Sequence, residues 1–472
     1  MKKLISIMSI STIIVASVTT LVSCSNMGVY SEIYVITDAG KVADKSFNQS
    51  GYEAGNRFIN EALLMENTNV SYAQPTTMTD VPWMYNQAFK HGAKTLILPG
   101  YKHGAFISEA DKAAKKYDGS VIFIDGSSNQ MENTIGLSYR SDISGLWAGI
   151  SSIMHVLTTK QTPVLATFGG MQNSAAVDPF MAGFLASVGV YNEMIKDKSE
   201  DSKIMKIANS FNLEQKDLVE ARINDAQAEG YSSSKHGQWF TDSFDPGKGS
   251  DLSETLLIQQ GANAILPVAG PQTADVLKIL SENNLKGKSF VVGVDTDQVE
   301  MYKTYSEYFI TSAEKDIVGS SSLALAHSGM FDFEMKSAKE KMNFEAEEYN
   351  DILKNMGNNL SITTKVNDTF ELVETGLTTS EDDDWNGRDF WVGGSISVSN
   401  FNKINNKQLA ILKDVFEEAA TQASIKYFAY TSQPSNSVAS ETLSIKTINE
   451  YTKDIIQHMN DQETNSGDFL AM

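Results

Sequence analysis

The feature that most constrains this chain is an alternation that begins at residue 30, where short β-rich apolar runs take turns with stretches of helical periodicity. Strands are expected at residues 33–37, 95–99, 121–124, 134–139 and 163–168, and a second set at 238–244, 264–269, 290–294 and 308–312. Helical segments lie between them, at 51–64, 104–117, 143–157 and 273–280. Strands separated by helices cannot pair through tight hairpins. The pattern therefore predicts an α/β chain with parallel sheets flanked by helices.

An internal echo implies two similar lobes. Thr95-Leu96-Ile97-Leu98-Pro99-Gly100 leads through a helix to Val121-Ile122-Phe123-Ile124-Asp125, and Ala264-Ile265-Leu266-Pro267-Val268-Ala269-Gly270 leads likewise to Val291-Val292-Gly293-Val294-Asp295. The glycine-to-aspartate step is 25 residues in both, from 100 to 125 and from 270 to 295. One such match also fits the common length of βαβ units.

The first residues read as an address. Met1-Lys2-Lys3 precedes an apolar run with interspersed Ser and Thr from Leu4 to Val22, the layout of an export signal. Leu21-Val22-Ser23-Cys24 looks like a bacterial lipobox, and Cys24 is the single cysteine in the sequence. The expectation is removal of residues 1–23, lipid on Cys24 and a tether over 24–30, holding the protein to the outer face of the cell membrane. The alternative is an uncleaved anchor, since a run of this length just spans a ~30 Å hydrocarbon core. Cleavage takes Lys2 and Lys3 and no acid, so the formal charge goes from −21 to −23. Such a chain repels nucleic acid and anionic lipid. With no second cysteine it forms no internal disulfide, and its length supports a core large enough to stabilise it.

Other segments look peripheral. Residues 191–230 are rich in Lys, Glu, Asp and Asn, and residues 331–366 carry a long charged stretch, so both read as solvated insertions. Residues 381–384 form an acidic turn, 408–423 a helix and 465–472 a frayed end.

Four ionisable residues, Asp38, Asp125, Asp295 and Lys315, follow expected strands at their carboxyl ends. In open parallel sheets that edge is where ligands bind, so the four converge. Each also fits a helix cap or turn. Asp44-Lys45-Ser46-Phe47-Asn48 places a ring beside an amide between the first strand and its helix, and Phe244 precedes the turn Asp245-Pro246-Gly247. Two rings on opposing lobes can sandwich a flat heterocycle, worth roughly 1–3 kcal/mol per base. Two ordinary core phenylalanines would give the same text.

These motifs, with Ser243-Phe244-Asp245-Pro246-Gly247-Lys248-Gly249, Val268-Ala269-Gly270, Val292-Gly293-Val294-Asp295-Thr296-Asp297-Gln298 and Thr311-Ser312-Ala313-Glu314-Lys315, resemble the basic membrane protein family of substrate-binding lipoproteins, over roughly residues 30–330. The resemblance implies a type I periplasmic-binding-protein fold, two doubly wound parallel-sheet lobes joined by a hinge. It divides the chain into lobe 1 at 31–142 and 310–330, lobe 2 at 143–309, and a segment returning to the lobes at 367–472. It further implies a receptor that binds a purine nucleoside and delivers it to the permease and ATPase subunits of an ABC importer, without cofactor or metal. Phe47 and Phe244 would stack on the base and Asp125 would accept from its edge, with Asn48 and Asp38 completing that wall. Asp295 and Lys315 would hold the ribose hydroxyls, and Gly270 would leave room for the ligand. Ala313-Glu314 departs from the small apolar residues that more often precede the family's lysine.

Two other functions stay open. A surface adhesin or structural lipoprotein on the same fold would account for the insertions. An extracellular nucleoside hydrolase would use the same carboxylates, but the chain has no Gly-x-Ser-x-Gly elbow, and His91, His103, His155, His236, His327 and His458 lack metal-ligand spacing. The expectation is a binding protein and not an enzyme.

Overall fold

The computed structural model describes residues 28–38, 40–331, 355–356, 360–366, 369–373, 384–427 and 442–468. Cys24, and with it the expected leader and tether, lies outside them. Among the described residues no helix is long and apolar enough to cross a membrane.

The first lobe begins with β1 (Gly28–Ile36), α1 (Phe47–Arg57), β2 (Thr68–Ala73), α2 (Val81–Lys90), β3 (Thr95–Pro99), α3 (Ile107–Tyr117), β4 (Ser120–Ile124) and β5 (Thr134–Tyr139). The second holds α4 (Ser141–Thr158), β6 (Val164–Gly169), α5 (Asp178–Met194), α6 (Lys203–Ser210), β7 (Arg222–Ile223), β8 (Ala264–Val268), α7 (Thr273–Glu282), β9 (Phe290–Asp295) and β10 (Phe309–Glu314). The chain returns to the first lobe with α8 (Ile317–Ala326), β11 (Ile362–Val366), β12 (Thr369–Leu372) and β13 (Asp389–Val392). It ends on the second with β14 (Ser395–Ile396), α9 (Asn406–Tyr427) and α10 (Ile445–Asp468).

Two sheets result, ordered β12-β11-β13-β5-β4-β3-β1-β2 and β14-β10-β9-β8-β6-β7. Their pairs are parallel except where β11, β12 and β14 attach at the edges. β3, β4 and β8 are buried along their whole length. Helices on both faces demand continuous apolar strands of that kind, which is why Leu96, Ile97 and Leu98 carry no alternating polar face. The α/β architecture with two parallel sheets is thus the one the alternation predicts.

α4 is buried almost throughout and packs against α5 through small residues. A side chain at Gly145 would meet the Phe180 carbonyl at 2.2 Å, and one at Gly183 would meet the Asp142 carbonyl at 1.9 Å. The two backbones approach too closely for any other residue.

The chain crosses between lobes three times, at 139–141, 314–317 and 392–395. The crossings are tied together. Arg140 donates its N–H to the Val392 carbonyl at 2.9 Å, Ser144 Oγ donates to the Glu314 carbonyl at 2.7 Å, and Ser395 N–H donates to Ser144 Oγ at 3.0 Å.

Several expectations need correction. Residues 191–230 are not a solvated insertion: α6 buries Ile204, Met205, Ile207 and Ala208 in the core of the second lobe, joined by Phe211, Leu213 and Leu218. An apolar stripe at helical spacing lies beneath a charged composition, and composition alone hides it. Residues 238–244 form no strand. A 3-10 helix covers Ser233–Gln238, and Phe240 makes a single bridge to Gly169. Residues 310–314 belong to β10 in the second sheet, so the crossing falls at Lys315 and not at 310. β11 adds residues 362–366 to the first sheet, where an insertion was expected, while 332–354 and the acidic residues 381–383 lie outside the described residues. α10 is helical through Asp468, past the point expected to fray.

α10 is held to the second lobe by Tyr451, whose buried hydroxyl donates to Asp142 Oδ2 at 2.6 Å. Tyr451→Ala should lower stability by about 3–5 kcal/mol, as other large-to-small core changes do. Urea unfolding followed by circular dichroism measures it, and an unchanged midpoint would mean that α10 contributes little to the lobe.

Candidate functional site where the lobes meet

Lys315 follows β10 directly, and its side chain is buried. Its ammonium donates to Asp125 Oδ2 at 2.7 Å and to the Ala176 carbonyl at 3.0 Å, and lies 3.8 Å from Asp295 Oδ1. Asp125 directly follows β4 in the first lobe, and Asp295 ends β9 in the second. One cation therefore joins carboxylates from opposite lobes. The ring of Phe47, at the start of α1, lies 5.2 Å from the same ammonium, within cation–π range.

The backbone explains the position of both acids. Asp125 has φ 64° and Asp295 φ 68°, left-handed conformations that aspartate tolerates better than most residues. The repeated 25-residue step thus ends each time in a sharp turn off a parallel strand. Burial raises both carboxyls, Asp125 to about 6, and Lys315 opposes the shift in both. Asp295 and Asp38 push Asp125 further up.

The loop before α1 crosses to the second lobe. Ser46 Oγ donates to Asp295 Oδ2 at 3.0 Å, and Gln298 Nε2 donates to the Lys45 carbonyl at 3.2 Å and the Gly270 carbonyl at 3.0 Å. Asp44 shapes this loop. It accepts from the backbone N–H groups of Ser46, Asn48 and Gln49, yet burial still lifts its carboxyl to about 6.

The remaining expected residues fall around this junction. Asn48 is buried, with Nδ2 donating to Asp44 Oδ2 at 3.1 Å and Oδ1 without a partner among the described residues. Asp38 lies against Gly100, where a side chain would meet its carboxylate at 2.5 Å. Phe244 covers Gly170 in the second lobe, with Lys102 of the first lobe 5.4 Å from its ring. At Gly270 the structure differs from the expectation. The space a side chain would fill is taken by Ser46, whose Oγ would lie 2.2 Å away, so this glycine admits the opposite lobe.

Sequence reasoning passed over Ser46 and Gln298. Ser46 and Gln298 stand inside quoted motifs and were legible as polar residues beside the singled-out ones.

The arrangement provides acceptors, one buried cation and aromatic faces at a junction of two lobes, suited to a small polar ligand with a flat ring. Since raised carboxyls bind protons more tightly folded than unfolded, Asp125 contributes stability that is complete below pH 3.8 and lost as pH rises through about 6. Asp125→Asn should flatten that part of the melting-temperature profile, and a slope equal to wild type would contradict the assignment.

Residues 228–326 match the family described as ABC transporter substrate-binding protein PnrA-like (Bmp). The chain is 27% identical over 201 residues to "ABC transporter nucleoside-binding protein BmpA" of Lactococcus lactis subsp. cremoris, covering 40% of this chain and 55% of that protein. It is 21% identical over 351 residues to "Uncharacterized lipoprotein MG040 homolog" of Mycoplasma pneumoniae, covering 59% of this chain and 52% of that protein. The chain thus spans about half the length of these curated relatives. Among solved structures, "Crystal structure of ABC transporter system solute-binding proteins from Aeropyrum pernix K1" is similar with a TM-score of 0.48 at 15% identity, covering 92% of this chain and 91% of that one. The matched residues, 228–326, include β8, β9, β10 and Lys315.

Proposed function

We propose that the protein is a surface lipoprotein that binds a nucleoside, with purines preferred, between its two lobes and delivers it to an ABC importer. The observation that carries this reading is the Lys315 ammonium between Asp125 and Asp295, beside the Phe47 ring. Carboxylates only accept, so they suit the adjacent hydroxyls of a ribose, and each such charged hydrogen bond is worth about 1.5–3 kcal/mol. The ammonium favours the ionised form of both acids in a place where burial favours their neutral forms. Phe47 and Phe244 supply faces for the base. The nucleoside-binding name of the Lactococcus lactis relative points the same way.

Delivery to an importer needs a hinge and a location. The three tied crossings provide a hinge of the kind that closes lobes around a ligand. Lipid on Cys24 would keep the receptor beside its transporter, where effective concentration replaces affinity for the partner. The lipoprotein name of the Mycoplasma pneumoniae relative fits that tether.

Titration calorimetry with guanosine, inosine, adenosine and the pyrimidine nucleosides tests the ligand. Binding at micromolar or tighter affinity, lost in Asp295→Ala, is expected, and no heat with any of them would refute the reading. Cys24→Ala should abolish nucleoside uptake by cells while the purified domain binds as before. Uptake at the wild-type rate would remove the tether from the mechanism.

A further inference from the structure

The loop before α1 and its seat on the second lobe are each built by bonds within their own lobe. In the loop, Asp44 accepts from the N–H groups of Ser46, Asn48 and Gln49, the Lys45 N–H donates to Gln49 Oε1 at 3.1 Å, and the Ser50 N–H donates to the Ser46 carbonyl at 3.1 Å. Lys45 is left-handed, with φ 56°, a conformation that persists in such a residue only where its surroundings fix it. On the seat, Gln298 Oε1 accepts from Thr273 Oγ1 at 2.8 Å and from the Val294 N–H at 3.0 Å, and Nε2 gives one hydrogen to the Gly270 carbonyl at 3.0 Å. All of these bonds survive a separation of the lobes.

The bonds that cross are different, because opening breaks them. Ser46 Oγ donates to Asp295 Oδ2 at 3.0 Å, Gln298 Nε2 donates to the Lys45 carbonyl at 3.2 Å, and the Lys45 ammonium lies 4.6 Å from the ring of Tyr302 in the second lobe. The fit is also steric. A side chain at Gly270 would stand 2.2 Å from Ser46 Oγ and 2.6 Å from Ser46 Cβ, while the next atom, Asp295 Oδ2 of its own lobe, would be at 3.9 Å, an ordinary contact. Gly270 begins a short 3-10 turn and its φ is not positive. Its missing side chain therefore serves the approach of Ser46 and no demand of its own backbone.

We propose that residues 44–49 form a clasp, with Ser46 seated against Gly270 and Gln298, that holds the lobes closed before any ligand arrives and so scales the affinity for every ligand alike. Both halves are preformed, so closing orders little that is not already ordered. The closed form is then populated in the empty protein, and a ligand that needs this form draws on that population. Apparent affinity falls in proportion to the population, so weakening the clasp weakens every ligand by one factor. A residue that touched the ligand would instead change the ratio between ligands. The role of the clasp is independent of which ligand binds.

Small-angle X-ray scattering of protein dialysed free of small molecules reads the closure directly. The wild type should scatter as the closed form and Gly270→Ala as a more open one. In a Ser46→Gly background, where the obstructing atoms are gone, Gly270→Ala should open the protein no further. A wild-type profile for Gly270→Ala, or equal opening in both backgrounds, would overturn the proposal. Calorimetry with inosine and adenosine reads the consequence. Gly270→Ala should weaken both by the same factor, roughly tenfold or more, and the double variant should recover to the affinity of Ser46→Gly alone. That recovery would also show that Gly270→Ala leaves the second lobe folded. A changed inosine-to-adenosine ratio, or a double variant weaker than Ser46→Gly, would mean that Gly270 faces the ligand and would overturn the clasp. If the wild type binds no nucleoside, the nucleoside reading falls, while scattering, which needs no ligand, still decides on the clasp.

Discussion

A single buried ammonium sets the geometry of the junction. Asp125 and Asp295 stand at strand ends in different lobes, and bringing them together in a dry environment would drive one or both to pick up a proton. Lys315 opposes this by sitting between them, and the Ala176 carbonyl satisfies another of its hydrogens. Breaking such a buried pair is costly because it leaves charge uncompensated, so the ammonium and both acids act as one unit. Lys315 also starts the crossing from β10 to α8. The residue that neutralises the site therefore belongs to the hinge.

Glu314 stands in the hinge directly before Lys315. Burial together with Asp297 and Asp316 pushes its carboxyl well above the ordinary carboxylate range. Its own carbonyl accepts from Ser144, whose oxygen in turn accepts from the Ser395 N–H, so all three crossings meet around this residue.

Much of this was legible in the sequence because parallel sheets expose their logic. Apolar runs such as residues 95–99 and 134–139 are strands with those same bounds, and the four ionisable residues chosen for following strands lie around one junction. The equal glycine-to-aspartate steps proved to be equal turns, with both aspartates left-handed. What the sequence hid was packing between distant segments. A charged composition masked the stripe of α6, whose partners lie in helices some 200 residues later, as the Gln408 contact to the Ser210 carbonyl illustrates. Gly270 was legible as a place needing room, but not that Ser46 of the other lobe would fill it.

If this junction holds a nucleoside, as proposed, the bound ligand itself is the direct evidence. Ligands of such receptors commonly survive purification when exchange is slow, so the most direct measurement is mass spectrometry of the small molecules released from protein purified without denaturation. The account predicts a purine nucleoside, present at close to one per chain in wild type and absent from Lys315→Met. Release of a different class of molecule from wild type, such as a free sugar or an amino acid, would contradict it.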